Sequence, residues 1–373
     1  MKDLKLFIST IIPVIICTLI VSAKAEAQNE EPIPKFIITT VAGTGEDGPI
    51  GDGGPALQAY IQRPTAVAIS NQGNIYIANE KNYRVRMVNP EGVISTVMGT
   101  GNSDMQSEDR LAIETNIENA YGVATDKEDN LYVMSRGHSK IFKVGNDGIA
   151  QRIVGTGEMG FGGDGGLAID AKISFANHLV VDPKGNLFIA DTGNNRIRKV
   201  SPNGIITTIA GTGEMGFGGD GGPALEARFA YPVAIAIDEQ GNLYIADFNN
   251  HRIRKISTDG IITSVAGTGE SEYDGDGKPA LESQIGEPCG VVVDSNGYIY
   301  IGDQLNNRVR VVTPSGMIYT VAGTGVRGHT GDGGAAEMAQ MSNPDIIALD
   351  NAGNLYIPDH TNGVVRKLTR VKD

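Results

Sequence analysis

The sequence lacks tryptophan and contains only two cysteines among 373 residues. Cys17 lies in an apolar N-terminal run that we expect to be removed, which leaves Cys289 without a partner in the same chain. An internal disulfide framework is thereby excluded, and the fold must depend on a hydrophobic core. Basic residues are scarce as well, because 31 Lys and Arg stand against 44 Asp and Glu. A nucleic-acid partner requires a basic surface, so we expect none.

The N-terminal residues have the pattern of an export signal. Lysines precede an apolar run over residues 6–21, and small residues typical of a cleavage site lead up to Ala27. The run is shorter than the ~20 residues that span a bilayer. We therefore predict a signal peptide over residues 1–27, a short segment over residues 28–35, and a secreted or periplasmic protein with no membrane span after cleavage. The alternative is an uncleaved anchor.

One unit repeats through the rest of the chain. A T-V-A-G-T-G sequence begins at Thr40, and its variants recur at a constant interval up to Thr320. A run related to G-N-L-Y-I-A-D ends at Asn79 and next at Ser135, an interval of 56 residues, and it continues in the same step. Residues 36–373 are therefore predicted to form one domain of six 56-residue repeats.

Each repeat carries the pattern of four short strands. In the fourth repeat, apolar residues alternate or dominate within four segments, and Asp, Asn and Gly occupy the turns between them. The segments are residues 233–237, 242–246, 252–256 and 261–266. Short strands with such turns, and no helical period, indicate an all-β fold. Four strands per repeat are typical of a propeller blade, so we predict a six-bladed β-propeller of four-stranded blades.

The count of strands predicts how the ring closes. The sixth repeat ends after its third strand, whereas an additional strand pattern over residues 37–42 precedes the first repeat. We therefore expect the N-terminal strand to complete the last blade, with Ile37, Ile38 and Val41 buried in it. Such closure leaves no large exposed sheet edge, which would otherwise favour aggregation.

These repeats resemble the NHL-repeat family of six-bladed propellers. The resemblance rests on the run P-x-x-V-A-x-D-x-x-G-N-L-Y-I-A-D-x-x-N-N-R-I-R-K, which is nearly complete at residues 232–255. The Gly-rich insert that precedes it is similar to that of exported bacterial members. The resemblance covers residues 36–370. It implies the fold specifically and the function poorly, because one fold supports many functions.

The Gly-rich insert G-T-G-E-M-G-F-G-G-D-G-G occurs at residues 155–166 and again at residues 211–222. It contains G-x-G-x-x-G, but a dinucleotide site needs a strand before this motif and a helix after it, which an all-β repeat does not offer. Its acidic position holds a carboxylate in every repeat. These residues are Asp52, Glu108, Asp164, Asp220, Asp276 and Asp332. Two interpretations stay open: capping of a short helical turn, or weak binding of Ca²⁺ by each loop separately.

A second polar pair recurs where the second strand ends and the third begins. The pairs are Asp191 with Arg196, Asp247 with Arg252 and Asp303 with Arg308. Because they accompany the repeat itself, we predict ion pairs that brace this loop rather than a charged ring for a ligand.

The residues that open the first strands vary most among the repeats, and in a propeller they face the central channel. The first such position holds Thr65, Tyr121, Asn177, Val233, Cys289 and Asp345, and the second holds Ala66, Gly122, His178, Ala234, Gly290 and Ile346. A ligand pocket would need such variety, and drift would produce it too. Asn177, His178 and Asp345 are the candidate binding residues at these positions.

The second repeat departs from the others in two loops that a propeller places on one face. The insert contains Arg110, and the loop between the second and third strands contains Arg136 and His138. With Tyr121, these residues predict a cationic and aromatic binding spot on an acidic protein, since Arg and Tyr are common anchors of interfaces. Drift of one blade is the alternative.

The predicted function is a non-catalytic binding scaffold for a protein, a glycan or an envelope component, and we expect a monomer without a firmly held cofactor. The alternative is a metal-dependent hydrolase or lyase at the channel mouth, because gluconolactonase-like enzymes and amidating lyases resemble this fold. Asn177 and Asp345 could bind a divalent metal and His178 could bind zinc, but a catalytic zinc site needs three protein ligands. Cys289 is interpreted as a buried thiol rather than a nucleophile.

Overall fold

The computed structural model describes residues 31–372 except for residues 47, 49 and 105–109. Six antiparallel sheets make up this described part and follow one another in chain order around a central channel. The predicted fold class, an all-β six-bladed propeller, is confirmed. The expected signal peptide at residues 1–27 lies outside the described residues. Within the described range, no helix combines the length and the apolar character needed to cross a membrane.

The strands are short and are separated by turns and short helical segments. In chain order they are β1 (Phe36–Ala42), β2 (Pro64–Ile69), β3 (Ile75–Asn79), β4 (Arg84–Val88), β5 (Ile94–Met98), β6 (Arg110–Leu111), β7 (Ala120–Thr125), β8 (Leu131–Ser135), β9 (Lys140–Val144), β10 (Ile149–Val154), β11 (Leu179–Val181), β12 (Leu187–Asp191), β13 (Arg196–Val200), β14 (Ile206–Ala210), β15 (Pro232–Ile237), β16 (Leu243–Asp247), β17 (Arg252–Ile256), β18 (Ile262–Ala266), β19 (Lys278–Pro279), β20 (Pro288–Val293), β21 (Ile299–Asp303), β22 (Arg308–Val312), β23 (Met317–Ala322), β24 (Ala348–Leu349), β25 (Leu355–Asp359) and β26 (Val364–Arg370). The described residues also form 3₁₀ turns at Ala56–Gln58, Ala112–Glu114, Ala168–Asp170, Thr192–Asn194, Ala224–Glu226, Phe248–Asn250, Ala280–Glu282 and Ala336–Met338.

Each blade begins with its innermost strand and runs outwards. The blades are, in order, β2–β5, β7–β10, β11–β14, β15–β18, β20–β23, and last β24–β26 with β1. The two-residue strands β6 and β19 add to the outer edges of blades 2 and 5.

The turn between the first two strands explains why Asp, Asn and Tyr recur at this place in most repeats. In blade 4, Asp238 Oδ1 accepts hydrogen bonds from the backbone N–H groups of Gln240 and Asn242 at 3.1 and 2.8 Å. Its Oδ2 accepts a hydrogen bond from the Tyr244 hydroxyl at 3.2 Å. One side chain thereby satisfies the backbone of the turn and fixes the register of the hairpin.

The strand β1 pairs with β26 as the outermost strand of blade 6, which confirms the predicted closure of the ring. Phe36 and Ile38 are buried in the core. The prediction that Ile37 is buried is wrong, because successive strand residues point to opposite faces and Ile37 lies on the solvent side. Val41 is half-buried beside a register shift in the strand.

A buried arginine links the insert to the sheet in five of the six described blades, and Phe142 takes its place in blade 2. In blade 4, Arg254 Nη2 lies 2.6 Å from Asp220 Oδ1, and Arg254 Nη1 lies 3.3 Å from Asp247 Oδ2. Asp220 Oδ2 also accepts a hydrogen bond from the Ser264 hydroxyl at 2.6 Å. The arginines are Arg86, Arg198, Arg254, Arg310 and Arg366, and their insert carboxylates are Asp52, Asp164, Asp220, Asp276 and Asp332.

These contacts correct two predictions. The ion-pair partner of Asp247 is Arg254 and not Arg252. Arg252 instead donates to backbone carbonyl oxygens and lies over the ring of Phe217, 3.9 Å from its centroid. The 3₁₀ turns that follow the described inserts have no side-chain cap, so the capping interpretation is also wrong. The insert carboxylates stabilise the fold by binding arginine.

The first strands adjoin one another around the channel. Thr65 Oγ1 in blade 1 donates a hydrogen bond to the backbone oxygen of Tyr121 in blade 2 at 2.8 Å. Ala66 forms a parallel bridge with Ile346 in blade 6. Residues at equivalent positions of the six blades therefore face one shared channel.

Candidate functional site

Three aromatic residues from three blades surround the cation of Arg136 at one mouth of the channel. Arg136 follows β8, and its Cζ lies 4.6 Å from the ring centroid of Tyr121 and 5.4 Å from that of Phe175. Its Nη2 lies 3.5 Å from the hydroxyl oxygen of Tyr231. We call these four residues the Arg136 cage.

The cage depends on the backbone that leads into each first strand. Phe175 and Tyr231 have φ angles of 44° and 63°, in the left-handed region that is uncommon for residues other than glycine. The equivalent residues share this conformation, namely Arg63, Asn119, Glu287 and Asn343. Phe175 and Tyr231 were not predicted to face the channel, because each lies two residues before the position at which the predicted channel-facing set begins. Their position directly before the Pro or Ala that opens the strand region was the available signal.

Arg136 differs from the buried arginines of the other blades in what neutralises it. Among the described residues it forms no ion pair with a carboxylate, and its buried Nε has no hydrogen-bond partner. A cation over aromatic faces is stabilised by about 0.5–2 kcal/mol, and a guanidinium keeps donors for a planar oxyanion. The half-buried Arg136 therefore offers positive charge to a ligand on a protein whose formal net charge is −13.

Two buried acceptors lie deeper in the same mouth, on opposite blades. Asn177 in blade 3 and Asp345 in blade 6 occupy the repeat position of Tyr121 and are 2% and 1% exposed. The Oδ1 atom of each is buried without a hydrogen-bond partner among the described residues. A buried polar atom left in this state costs about 1–3 kcal/mol, so it calls for an explanation.

The charges of the mouth act on one another. Burial raises the pKa of Asp345 to about 6, and its hydrogen bond with the Cys289 thiol and the nearby His360 oppose the rise. Burial and the charge of Asp345 raise the pKa of the Cys289 thiol well above its usual range, so the thiol stays protonated. Burial, Asp345 and Cys289 raise the pKa of Tyr121, whereas Arg136 lowers it. The thiol is therefore a hydrogen-bond partner of Asp345 and a poor nucleophile.

The side of the mouth formed by blades 1 and 6 carries balanced charges. Glu80 Oε2 lies 3.7 Å from His360 Nε2 and 3.9 Å from Arg63 Nη1. The hydrogen bond with His360 lowers the pKa of Glu80. The Arg136 cage is thus the cationic side of the mouth, because the charged residues on the opposite side are paired with one another.

His178 lies one residue further along the channel than Asn177 and belongs to its other end. Its Nδ1 accepts the backbone N–H of Ile235 at 3.2 Å, and burial lowers its pKa to about 4, which keeps it neutral. It lines a cavity of about 610 Å³ to which all six blades contribute, with Glu239 and Asp294 at its edge. His178 is therefore separated from the Arg136 cage.

His138 and Arg110 also lie away from the cage. His138 is buried, and its Nε2 lies 2.7 Å from the backbone oxygen of Ser103. Arg110 lies in β6, where it is paired with Ala150 of β10. The sheet order β6-β10-β9-β8-β7 separates Arg110 from Tyr121 by four strand spacings, or roughly 19 Å at ~4.8 Å each. Of the predicted site residues, the structure places Arg136 against Tyr121, and it places Asn177 and Asp345 at the position equivalent to Tyr121 in blades 3 and 6.

The insert carboxylates are already paired, apart from Glu108, which lies outside the described residues. In blade 4, one oxygen of Asp220 binds Arg254 and the other binds Ser264. Within the described residues, no three His, Cys, Asp or Glu side chains group closely enough to hold a metal ion. A Ca²⁺ ion at an insert would need 6–8 oxygen ligands and would have to displace a guanidinium.

Adding millimolar Ca²⁺ is therefore expected to leave the melting temperature unchanged. Binding to the native state at 100 times Kd would stabilise it by about 2.7 kcal/mol, which thermal unfolding would readily detect. The measurement compares unfolding in Ca²⁺, in EDTA and in Mg²⁺. A melting temperature that rises and saturates with Ca²⁺ alone would show that the loops bind the ion after all.

Comparison with known proteins identifies relatives of the repeats. The family model for the teneurin NHL domain matches residues 28–118 and 206–274. Human teneurin-1 is 26% identical over 378 residues, which cover 90% of this chain and 13% of that protein. Chicken NHL repeat-containing protein 2 is 25% identical over 291 residues, which cover 68% of this chain and 39% of that protein. The chain thus spans only a small part of teneurin-1.

Solved structures share the fold at low sequence identity. An auxiliary nutrient binding protein from Bacteroides thetaiotaomicron has a TM-score of 0.65 and 16% identity, covering 92% of this chain and 79% of its own. A gluconolactonase from Xanthomonas campestris has a TM-score of 0.55 and 15% identity, covering 91% of this chain and 96% of its own. A binding protein and an enzyme therefore share this fold, and the fold alone does not decide between the two functions.

Proposed function

Starting from the NHL-repeat family, to which this chain belongs, we propose that it is an extracytoplasmic binding propeller. Its partner is a protein, a glycan or another envelope component that presents an anionic group to the Arg136 cage. The protein acts as a monomer and leaves its ligand chemically unchanged. The predicted export signal at residues 1–27 supports the location outside the cytoplasm.

The observation that carries this proposal is the state of Arg136. The fold neutralises its fully buried arginines with carboxylates, as Arg254 with Asp220 and Asp247 shows. Arg136 has aromatic rings in place of a carboxylate, and Phe175 beside it is 41% exposed. Arginine and large aromatic residues dominate the binding energy of many interfaces, and arginine binds carboxylates, sulfates and phosphates through paired hydrogen bonds. The cage therefore has the composition of a binding anchor.

A metal-dependent hydrolase or lyase is the second candidate, and Asp345 is the observation that favours it. A buried carboxyl group with a pKa of about 6 and an unpartnered oxygen could transfer a proton at neutral pH. The two functions differ in the fate of the ligand. Mass spectrometry of the ligand after incubation distinguishes them, since an enzyme releases a product and a binding protein returns the ligand intact.

Replacing Arg136 with glutamine is expected to weaken binding of the natural partner by about 10- to 100-fold. The lost hydrogen bonds to a charged group correspond to about 1.5–3 kcal/mol, and each 1.4 kcal/mol is tenfold in affinity. A partner is first captured from the cell envelope by the immobilised chain, and its affinity for each variant is then measured by surface plasmon resonance.

Arg63→Gln is the matched control, because Arg63 lies on the same rim and its side chain is 54% exposed. It removes the same charge from the paired side of the mouth and is expected to leave affinity within about twofold, since exposed ion pairs contribute about 0–1 kcal/mol. If Arg136→Gln binds normally while Glu239→Gln on the opposite face loses affinity, the partner uses the other end of the channel and this placement is wrong.

A further inference from the structure

The deeper part of the mouth contains polar atoms that the fold does not use. At the repeat position shared by Asn177 and Asp345, Thr65 shows how the fold satisfies a polar side chain. Its hydroxyl donates to the backbone oxygen of Tyr121 at 2.8 Å. The Oδ1 atoms of Asn177 and Asp345 are as deeply buried, yet neither has a partner among the described residues. Buried acceptors without donors point to a molecule that supplies donors.

The strands that carry these acceptors adjoin one another next to Tyr121. The backbone N–H of Ile346, which follows Asp345, donates to the backbone oxygen of Thr65 at 3.0 Å, and Thr65 Oγ1 donates to that of Tyr121. A Cβ atom on Gly122, which follows Tyr121, would lie 2.6 Å from the backbone oxygen of Asn177. Asp345 and Arg136 both act on the ionisation of Tyr121 and on that of the Cys289 thiol, with opposite signs. Tyr121 also contacts Arg136 directly through its ring. A ligand that reaches the acceptors therefore also meets the guanidinium.

These groups define the chemistry of a ligand. A guanidinium recognises a planar carboxylate through two parallel hydrogen bonds, whereas amide and carboxylate oxygens accept hydrogen bonds from hydroxyl or ammonium groups. The exposed face of Phe175 and the half-buried ring of Tyr231 suit the C–H groups of a compact carbon skeleton. A ligand with only a carboxylate would bind the guanidinium alone, and a ligand with only hydrogen-bond donors would bind the buried acceptors alone.

We propose that the mouth binds a small carboxylic acid whose carbon atoms next to the carboxylate carry hydroxyl or ammonium groups. The carboxylate lies on Arg136, and the donors lie on the Oδ1 atoms of Asn177 and Asp345. The acid is either free or the terminal unit of a larger molecule. This inference rests on the proposed binding function and specifies the ligand of the same site.

Calorimetry with four probes tests the pairing of the two features. D-Glucuronate carries a carboxylate and hydroxyl donors, and L-serine carries a carboxylate, an ammonium and one hydroxyl. Propionate has the carboxylate alone, and glucose has the hydroxyls alone. We expect glucuronate or serine to bind at least ~10-fold more tightly than both propionate and glucose, because each added set of hydrogen bonds to a charged or buried group is worth about 1.4 kcal/mol or more. Tight binding of glucuronate shows that hydroxyl donors suffice, and tight binding of serine but not of glucuronate shows that the ammonium is required.

Variants of the full chain separate a ligand site from a structural role. Asn177→Leu keeps the shape of the side chain and removes the acceptor, so it is expected to abolish the ~10-fold preference without lowering the melting temperature. Arg136→Gln is expected to abolish the preference as well, and Arg63→Gln is expected to keep it. A marked fall in the melting temperature of Asn177→Leu would show that its oxygen serves the fold, and the inference would be overturned.

The inference also fails if propionate binds as tightly as glucuronate and serine, or if none of the probes binds. Failure of the wider proposal is distinguishable from this result. When the envelope partner still depends on Arg136 but no small acid binds, the binding function stands and the ligand class is wrong. When no small acid binds and the affinity for the partner does not depend on Arg136 either, both proposals are wrong.

Discussion

Replacing Ile38 with aspartate is expected to remove about 5 kcal/mol or more of folding free energy, which is close to the whole stability of many domains at ~5–15 kcal/mol. Ile38 lies in β1, is fully buried, and packs with Val321 of blade 5 and Leu368 of blade 6. The lost burial amounts to about 1.5–3 kcal/mol, and an unpaired carboxylate in the core adds a penalty of several kcal/mol. Because β1 closes the ring, its loss also exposes the edge of β26.

Ile37→Asp is the control for this experiment. It introduces the same charge in the same strand, but Ile37 is 37% exposed, so we expect a cost within about 1 kcal/mol. Urea denaturation followed by circular dichroism gives both free energies. If the two variants are equally stable, β1 does not hold the last blade in solution, and the closure seen in the structure does not carry the stability.

The sequence predicted the fold because the repeat is regular enough to count. The constant interval between Asn79-type positions predicted six blades, and the missing fourth strand of the last repeat predicted closure by the N-terminal one. For Ile37 the strand was predicted correctly, but the face of the sheet on which its side chain lies was predicted wrongly. Strand residues alternate, and a run of apolar residues does not show which of two neighbours faces the core.

The pairing of charged residues could not be predicted from the repeat. Asp247 and Arg252 were predicted to pair because both recur with the repeat, and they are indeed opposite each other in the register of β16 and β17. In the structure Arg254 pairs with Asp247. The insert carboxylate Asp220, which lies 34 residues before Arg254 in the sequence, binds the same guanidinium. These three groups meet because the insert crosses over the sheet. The repeat pattern of the sequence does not indicate that path.

The candidate site was predictable in part for a related reason. Tyr121, Arg136, Asn177 and Asp345 depart from the repeat consensus, and such departures can be read in one sequence. Phe175 and Tyr231 were missed because a left-handed backbone directs them to the mouth and no residue type requires that backbone, so their position directly before the strand region was the signal in the sequence. Arg110 lies away from the cage because β6, which contains it, pairs with the outer strand β10.

Replacing Arg254 with phenylalanine is expected to cost about 3–5 kcal/mol, because it leaves Asp247 as a buried charge without its cation. Blade 2 shows that the fold tolerates uncharged residues at these two positions when both the cation and the carboxylate are absent. Its equivalents of Arg254 and Asp247 are Phe142 and Ser135, and both are buried. The double variant Arg254→Phe/Asp247→Ser is therefore expected to recover most of the loss, since the remaining Asp220 is 34% exposed and stays hydrated.

The same pair predicts the pH dependence of the single variant. Burial already raises the pKa of Asp247 to about 6 in the parent protein, and removing Arg254 raises it further. A carboxyl group whose pKa is higher in the folded state binds protons preferentially there, so its contribution to stability is lost as pH rises through the folded pKa. The deficit of Arg254→Phe should therefore be larger at alkaline pH than at pH values below about 5, whereas the double variant should track the parent more closely at both. Guanidinium denaturation of the three proteins across this pH range provides the measurement. A double variant that is as unstable as the single one would mean that Arg254 contributes through packing and its contacts with the insert, and not by neutralising Asp247.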